Sequence, residues 1–281
     1  SNQLIQITGD LAFSEIENFN ILGGLVLAGI TGFVVIGGLK RIAEVATFLV
    51  PLMGSIYFGA MIVALTLNLN LVLPAFKLIL VDAFNGTAIA GGTFFGVLIY
   101  GVRRGAFSNE AGMGTESLVH GVAKVSNPVK QGLVAMTGPI FDTLIICTAT
   151  ALMILVSGVW ETSSSQGVTL TAEAFSILLG SFGGLILFVC VICFGLSTIF
   201  TYSYYGASCS RFLFGKFGMK FYIYLYILSI FIYSIVPIDI AINIADGAFA
   251  MMAIPTLISA LWLAPKVMQA SKIYFKLIDN N

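Results

Sequence analysis

The stretch Gly101–Gly121 reads GVRRGAFSNEAGMGTESLVHG and concentrates polar residues in a chain that is otherwise apolar. It holds two arginines, two glutamates, an asparagine and the protein's single histidine. Only 9% of all residues are charged, against about 25% in an ordinary soluble domain. Hydrophobic residues make up 58% of the chain, and the mean hydropathy is +1.02. These values predict an integral membrane protein, in which this polar stretch is the exception.

Seven stretches of the chain are apolar enough to cross a hydrocarbon core of about 30 Å, which takes about 20 residues. They are Ile21–Leu39, Val45–Phe76, Ala83–Val102, Gln131–Trp160, Ala174–Ser210, Phe221–Ile238 and Gly247–Pro265. None shows the ten-residue alternation of a membrane β-barrel strand, and their many glycines suit helices packed on helices. The sequence therefore predicts an all-α integral membrane protein with about seven transmembrane helices.

The basic residues predict the orientation of these spans, because Lys and Arg accumulate in cytoplasmic loops. All but Lys77 follow the odd-numbered spans, at Lys40, Arg41, Arg103, Arg104, Lys124, Lys130, Arg211, Lys216, Lys220, Lys266, Lys272 and Lys276. This places the protein in the cell membrane with its C-terminus in the cytoplasm. Residues 1–20 are then an outer loop or the end of a preceding helix, 21–270 the transmembrane domain, and 271–281 a cytoplasmic tail.

The third span carries a cluster of glycines at Gly91, Gly92, Gly96 and Gly101. A glycine costs about 1 kcal/mol relative to alanine inside a helix, so the cluster needs a reason. Transporters unwind such helices near the bilayer midplane and point the freed backbone groups at substrates and ions. A packing seam between helices explains the same pattern equally well, and both interpretations stay open.

The fifth span carries two adjacent hydroxyls, Ser197 and Thr198, one turn after Phe194. Hydroxyl oxygens together with the Phe194 carbonyl form the kind of oxygen set that binds a small hard cation. The alternative is that both hydroxyls bond back to carbonyls of their own helix, which is common for Ser and Thr.

Asp142 is the one charged residue in the fourth span. It comes fourteen residues after Pro128, roughly 21 Å at the rise of a helix, and so lies deep in the span. A carboxylate at that depth indicates a function and needs a partner, which Arg103 or Arg104 could supply. A structural ion pair and a part in cation coupling or gating are equally good interpretations.

Other polar groups give weaker signals. Asp239 and Asp246 lie in a stretch without a basic residue, between Pro237 and Gly247, which argue against one continuous helix. His120 shares no helix face with Glu110, so we expect a solvated histidine and no metal site. No catalytic motif is present, and we expect no enzyme. The 13 basic and 13 acidic residues balance, and no nucleic acid partner is expected.

Five motifs occur together across most of the chain. They are RGAFSNEAGMG at Arg104–Gly114, NPVKQG at Asn127–Gly132, DTLIICTATALMILVSG at Asp142–Gly158, STIFTYSYYG at Ser197–Gly206 and AIPTLISALWL at Ala253–Leu263. With these motifs in this order, the chain resembles the alanine/glycine:cation symporter family, the sodium:alanine symporters.

The resemblance implies a LeuT-type fold with two inverted five-helix repeats, of which this chain would hold core helices four to ten. It implies a substrate site at Gly91, Gly92, Thr93, Phe95, Ile99 and Tyr202, with Tyr202 standing where the family usually has tryptophan. It places a sodium ion at Phe194, Ser197 and Thr198. It assigns a signature or gating role to Arg104, Phe107, Ser108, Asn109, Glu110 and Asp142.

The family's glycine-rich first core helix is absent from this sequence, and the chain begins with Ser1. We therefore expect a fragment of a secondary active transporter that carries alanine or glycine with sodium by alternating access. Its partners would be a small neutral amino acid, the lipid bilayer and a missing N-terminal half. The alternative is a structural or regulatory membrane subunit that transports nothing itself.

Overall fold

The computed structural model describes residues 19–83 and 93–279, and every regular element in that part is a helix. The elements are α1 (Phe19–Val35), α2 (Gly38–Leu67), α3 (Leu69–Ala83), α4 (Thr93–Asn109), α5 (Thr115–His120), α6 (Pro128–Ala135), a π-helix (Ile140–Cys147), α7 (Thr148–Ser157), α8 (Val159–Thr162), α9 (Val168–Leu179), α10 (Ser181–Ile235) and α11 (Ile238–Asp279). The predicted all-α class is confirmed.

Four helical stretches of the described residues are long and apolar enough to cross a membrane. They are Lys40–Leu67, Pro128–Ser157, Ser181–Ile235 and Ile240–Asp279. Two shorter apolar helices are also present: Asn20–Val35 overlaps the first predicted span, and Val168–Leu179 overlaps the beginning of the fifth. The count of seven spans and the LeuT-type arrangement of repeats remain predictions.

α10 is a hairpin that contains two of the predicted spans. Gly215 interrupts it with φ 70° and ψ −158°, a left-handed conformation that glycine adopts without steric cost. The two arms, 181–214 and 216–235, lie side by side: the Tyr226 hydroxyl donates to the Ile199 carbonyl at 2.7 Å. Nearer the bend, Gly206 faces the ring of Tyr222. The predicted interruption between the fifth and sixth spans is therefore present.

The chain divides into two compact units. The first unit comprises Ser1–Asp82 with Ala149–Ala241, and the second unit comprises Ala83–Thr148 with Ile242–Asn281. In the first unit, α1, α2 and α10 share a buried apolar cluster of Val34, Val35, Ile42 and Phe200.

Aromatic rings hold α2 against α9 and α10 in the first unit. The Tyr57 ring stacks on the buried Phe175 ring at 5.5 Å between centroids and meets the Phe194 ring edge-on at 5.8 Å. The Tyr57 hydroxyl lies 2.8 Å from the Thr150 hydroxyl, so α7 is hydrogen-bonded to the same side chain. One tyrosine thus contacts three other helices.

In the second unit, contacts between the α4 segment and α11 advance in the same direction along both. Arg103 of α4 pairs with Asp246, near the start of α11. Beyond the end of α4, Gly112 lies beside Leu257 and Gly114 beside Thr256, about ten residues further along both segments. These helices overlap the third and seventh predicted spans. Because both spans have odd numbers, the prediction requires them to cross the membrane in the same direction, which agrees with these contacts.

The chain breaks at only one of the two expected places around Asp246. A short interruption separates Ile235 from Ile238, next to Pro237. Gly247, however, lies inside α11, so the expected second break is wrong. In an apolar environment no water competes for the backbone groups, and a helix that satisfies them tolerates a glycine. Residues 271–279 continue α11.

Candidate functional site

The polar stretch that interrupts the apolar sequence begins as the end of α4. The helix ends at Asn109, whose side-chain oxygen accepts a hydrogen bond from the Ala111 N–H at 2.9 Å. Glu110 follows with φ 55°, the only positive φ of a non-glycine residue in the described part of the chain. Such backbone is costly for residues other than glycine and is common at functional sites. The signature is therefore a tight turn that ends α4.

The same turn is joined to a π-helix that carries Asp142. The Ser108 hydroxyl donates to Asp142 Oδ2 at 2.5 Å, and the Asn109 amide donates to the Thr143 hydroxyl at 3.2 Å. Thr143 also donates to Asp142 Oδ2, at 3.3 Å. We call these four residues the signature cluster. Two of these hydrogen bonds thus connect segments that are 34 residues apart in sequence, and the third lies within the π-helix.

Local sequence explains why the π-helix forms at this position. Pro139 immediately precedes it and has no N–H, so the regular i to i−4 pattern is already interrupted there. Single turns of π-helix are rare and frequently occur at functional sites. Asp142 lies in its first turn, half-buried, where its carboxylate reaches the end of α4.

The expected partner of Asp142 is wrong. Neither Arg103 nor Arg104 bonds to it; its partners among the described residues are the hydroxyls of Ser108 and Thr143. Arg104 lies over the Tyr100 ring, 5.0 Å from its centroid. The hydrogen bond from Ser108 to Asp142 joins residues on different helices. The sequence gives no signal for it, except that a lone carboxylate needs a hydrogen-bond donor.

Arg103 instead forms an ion pair with Asp246, whose side chain is only 10% exposed. The Arg103 side chain is 47% exposed, so solvent still reaches the guanidinium. The sequence stretch around Asp246 contains no base, but α11 brings it to an arginine 143 residues away. The basic partner of Asp246 therefore comes from outside its own stretch of sequence.

The predicted sodium ligands lie on the first arm of α10. Ser197 is 5% exposed, and its hydroxyl donates to the Phe194 carbonyl at 2.9 Å. The same hydroxyl lies 3.9 Å from the sulfur of Met53 on α2. Thr198 is exposed, and α10 remains helical through all three residues. The structure thus brings together two of the three predicted oxygens, those of Ser197 and Phe194. It does so through a hydrogen bond within the helix, which was the alternative interpretation of the sequence.

The predicted substrate residues are only partly described. Gly91 and Gly92 lie outside the described residues, and Thr93 is the first residue of α4. Phe95 and Ile99, one turn apart on α4, are 68% and 65% exposed. Tyr202 is half-buried on α10, with its ring 5.3 Å from the Tyr205 ring. The side chain of Phe107, a predicted signature residue, also lies outside the description. The substrate assignment stays a prediction.

Other polar groups do not form a metal centre. Within 19–83 and 93–279, no group of three or more His, Cys, Asp or Glu side chains could hold a metal ion. His120 is half-buried rather than fully solvated, and its Nδ1 lies 2.7 Å from the Gln131 amide nitrogen.

Comparison with known proteins gives a match along nearly the whole chain. The model of the sodium:alanine symporter family matches residues 2–281. The sodium/alanine symporter AgcS of Methanococcus maripaludis is 35% identical over 279 residues, covering 97% of this chain and 61% of that protein.

Two proteins of Bacillus subtilis are similar to the chain to the same degree. The transporter YflA is 37% identical over 265 residues, covering 92% of this chain and 56% of that protein. GlnT, named a probable sodium/glutamine symporter, is 34% identical over 275 residues, covering 97% and 58%. The chain thus spans about three fifths of the length of these relatives.

Symport is membrane transport, and the long apolar helices agree with it: this is a multi-pass membrane protein. The family is one of symporters and not of enzymes, in agreement with the prediction that the chain is not an enzyme. The family model covers more than half of the chain, and the sequence motifs pointed to the same relatives. The chain therefore belongs to the sodium:alanine symporter family.

Proposed function

We propose that this chain takes part in sodium-coupled symport of a small neutral amino acid, alanine or glycine, by alternating access across the cell membrane. The observation that carries the proposal is the family match over residues 2–281. The name of AgcS supports sodium and alanine as the transported pair, whereas the name of GlnT refers to glutamine. The choice of a smaller substrate is part of the proposal.

The sodium ion would bind at Phe194, Ser197 and Thr198. The 2.9 Å separation between the Ser197 hydroxyl and the Phe194 carbonyl supports this, because one small cation could contact both oxygens. In α10 the Phe194 carbonyl accepts the helical N–H of Thr198 and the Ser197 hydroxyl, so a bound cation would displace the hydroxyl hydrogen and take the lone pair that it leaves. Thr198, exposed on the neighbouring face, would supply the third oxygen.

The amino acid would bind at Gly91, Gly92, Thr93, Phe95, Ile99 and Tyr202. Support comes from α4, on which Phe95 and Ile99 expose apolar side chains one turn apart, a surface suited to a methyl group. The glycines that precede α4 would allow the substrate carboxylate to approach backbone amides.

The signature residues would control the position of α4 during transport. Ser108 and Asn109 are hydrogen-bonded to the π-helix, while Arg103 is paired with α11, so α4 is held at two points. We assign Arg104, Phe107, Glu110 and Asp142 to the same gating segment. In this scheme the C-terminal end of α4 faces the cytoplasm, as does the end of α11.

Uptake of labelled alanine into proteoliposomes that hold this chain together with the expected N-terminal half tests the proposal. An inward sodium gradient should drive accumulation, and a potassium gradient of the same size should not. In the purified protein, sodium should tighten alanine binding, and alanine should tighten sodium binding by the same factor, because coupling is reciprocal. Alanine binding that ignores sodium would contradict the coupling, and no binding would favour a structural or regulatory subunit.

The sodium ligands have a matched control. Ser197→Ala is expected to raise the sodium concentration for half-maximal alanine binding by about tenfold, the effect of losing roughly 1.4 kcal/mol. Ser229 makes the same bond to a carbonyl three residues earlier, at 2.7 Å from Tyr226 O, but lies on the second arm of α10. Ser229→Ala should therefore leave the sodium dependence unchanged. Equal effects of both substitutions would remove Ser197 from the sodium site.

A further inference from the structure

A cavity of about 520 Å³ lies in the first unit, between the junction of α1 with α2 and the bend of α10. Its volume falls within the range of about 300–1,000 Å³ that is typical of sites for small molecules. None of the residues assigned above to sodium or to the amino acid lines it. The cavity is therefore separate from the proposed transport site.

The lining of the cavity has two chemically different parts. One part is an apolar wall that includes Val35, Ile42 and Ile223. The other is a basic rim formed by Arg211 and Lys220, both of which are exposed. None of the described residues that line the cavity is acidic. An occupant that satisfies both parts is an anion with an apolar tail.

The hairpin explains why the two basic residues face one cavity. Arg211 lies on the first arm of α10, shortly before Gly215, and Lys220 lies on the second arm, shortly after it. The close approach of Gly218 to Ser210 brings the arms together at this point. The bend therefore brings an arginine and a lysine into the lining of one cavity, whose described lining contains no carboxylate.

We propose that this cavity binds one anionic phospholipid, with its phosphate at Arg211 and Lys220 and an acyl chain along the apolar wall. A guanidinium and an ammonium are both common phosphate ligands. The loop that carries them is one of those which the basic residues place in the cytoplasm, where basic pockets between transmembrane helices bind lipid head groups. A soluble phosphate ester would leave the apolar wall unused. The proposal depends on neither the sodium site nor the substrate site.

Native mass spectrometry of the purified protein, titrated with phosphatidylglycerol in detergent micelles, tests this site. One phosphatidylglycerol should be retained per chain, in preference to phosphatidylcholine. The variant Arg211→Gln/Lys220→Gln should bind it about thirty-fold more weakly, the effect of removing two basic side chains beside a lipid phosphate. The control Lys124→Gln/Lys216→Gln removes the same charge from exposed positions outside the cavity and should bind like the unmodified protein.

A second variant tests the cavity itself without changing its charge. Ser208 lines the cavity, and Ser208→Phe should fill part of the space for the acyl chain and abolish retention of the lipid. The Ser208→Phe variant still tests the lipid site if Arg211→Gln/Lys220→Gln does not fold. Equal retention in Ser208→Phe and the unmodified protein would overturn the proposal. Displacement of the lipid by an equal concentration of glycerol 3-phosphate would also overturn it, because it would indicate a site for soluble phosphate.

Discussion

In the first unit the helices meet mainly through apolar side chains and rings, whereas in the second they meet through charged and hydrogen-bonded groups. Tyr57 packs between Phe175 and Phe194, and the ion pair described in that unit, Lys40 with Glu44, lies within α2 itself. In the second unit, Arg103 and Asp246 join two helices. Apolar contacts tolerate small displacements, but ion pairs and hydrogen bonds are directional. The second unit is thus suited to movement between discrete arrangements.

The largest expected effect comes from overpacking the first unit. A β-carbon added at Gly183 would overlap the backbone of Phe175, which cannot rotate away as a side chain can. Gly183→Ala should therefore lower the free energy of unfolding by about 3 kcal/mol. Thermal unfolding in detergent measures this.

A matched glycine shows whether the loss comes from packing. Gly54, in the interior of α2, has open space where a β-carbon would lie. Gly54→Ala should leave stability unchanged or raise it by up to about 1 kcal/mol through helix propensity. Equal losses at both positions would show that the first unit is not held by close packing at Gly183.

The second prediction breaks the ion pair of the second unit. Asp246→Asn should destabilise the protein by about 2 kcal/mol, less than the 3–5 kcal/mol of a fully buried pair because solvent reaches Arg103. The double variant Arg103→Met/Asp246→Leu removes both charges and should recover most of the loss. Unfolding by denaturant measures both, and a double variant no more stable than Asp246→Asn would contradict a mainly electrostatic contact.

The third prediction concerns the signature cluster. Ser108→Ala and Asp142→Asn should each cost about 1 kcal/mol, since Ser108 is exposed and a hydrogen bond to a carboxylate is otherwise stronger. The double variant should cost little more than either single variant, because both substitutions act on the same hydrogen bond, the one from Ser108 to Asp142. A double-mutant cycle measures this coupling, and additive effects would show that the bond contributes nothing.

The smallest expected effect concerns a polar contact in the mainly apolar first unit, in the loop before α9. Hydrogen bonds from Ser165, at 2.5 Å, and from Ser163 lower the pKa of Glu173. A lowered pKa stabilises the fold above the unfolded value of about 4.3, and the contribution disappears as pH falls through the folded value. Ser165→Ala should reduce the loss of stability on acidification.

Thermal unfolding between pH 6 and pH 3 would measure that loss, with Ser157→Ala as the control. Ser157 donates to a carbonyl of its own helix, Ile154 O, so removing its hydroxyl should not change the pKa of a carboxylate. Identical pH profiles for Ser165→Ala and the unmodified protein would exclude the serine as the source of the lowered pKa.

The helices and the family could be predicted from the sequence, because composition and long apolar runs determine them locally. The partner of Asp142 could not. It depends on the π-helix, which orients the carboxylate towards Ser108 instead of an arginine. The pair of Arg103 with Asp246 depends on how the fold brings α4 to the first part of α11, and no local pattern specifies it.

The candidate sodium residues illustrate the same limit. A hydroxyl deep in an apolar helix is recognisable in the sequence, but its hydrogen-bond partner is a choice between a bound ion and its own backbone. In the structure the Ser197 hydroxyl donates to Phe194 O. That bond is compatible with both interpretations, and the Ser197→Ala measurement separates them.

The π-helix also makes the length of its segment important. Each of its hydrogen bonds spans one residue more than in an α-helix, so deleting a single residue between Ile140 and Cys147 would restore the ordinary pattern. Every side chain on one side of the deletion would then rotate by about 100° relative to the other side. Substitutions in this segment could therefore be accommodated one at a time, whereas a one-residue deletion would separate the carboxylate from α4 altogether.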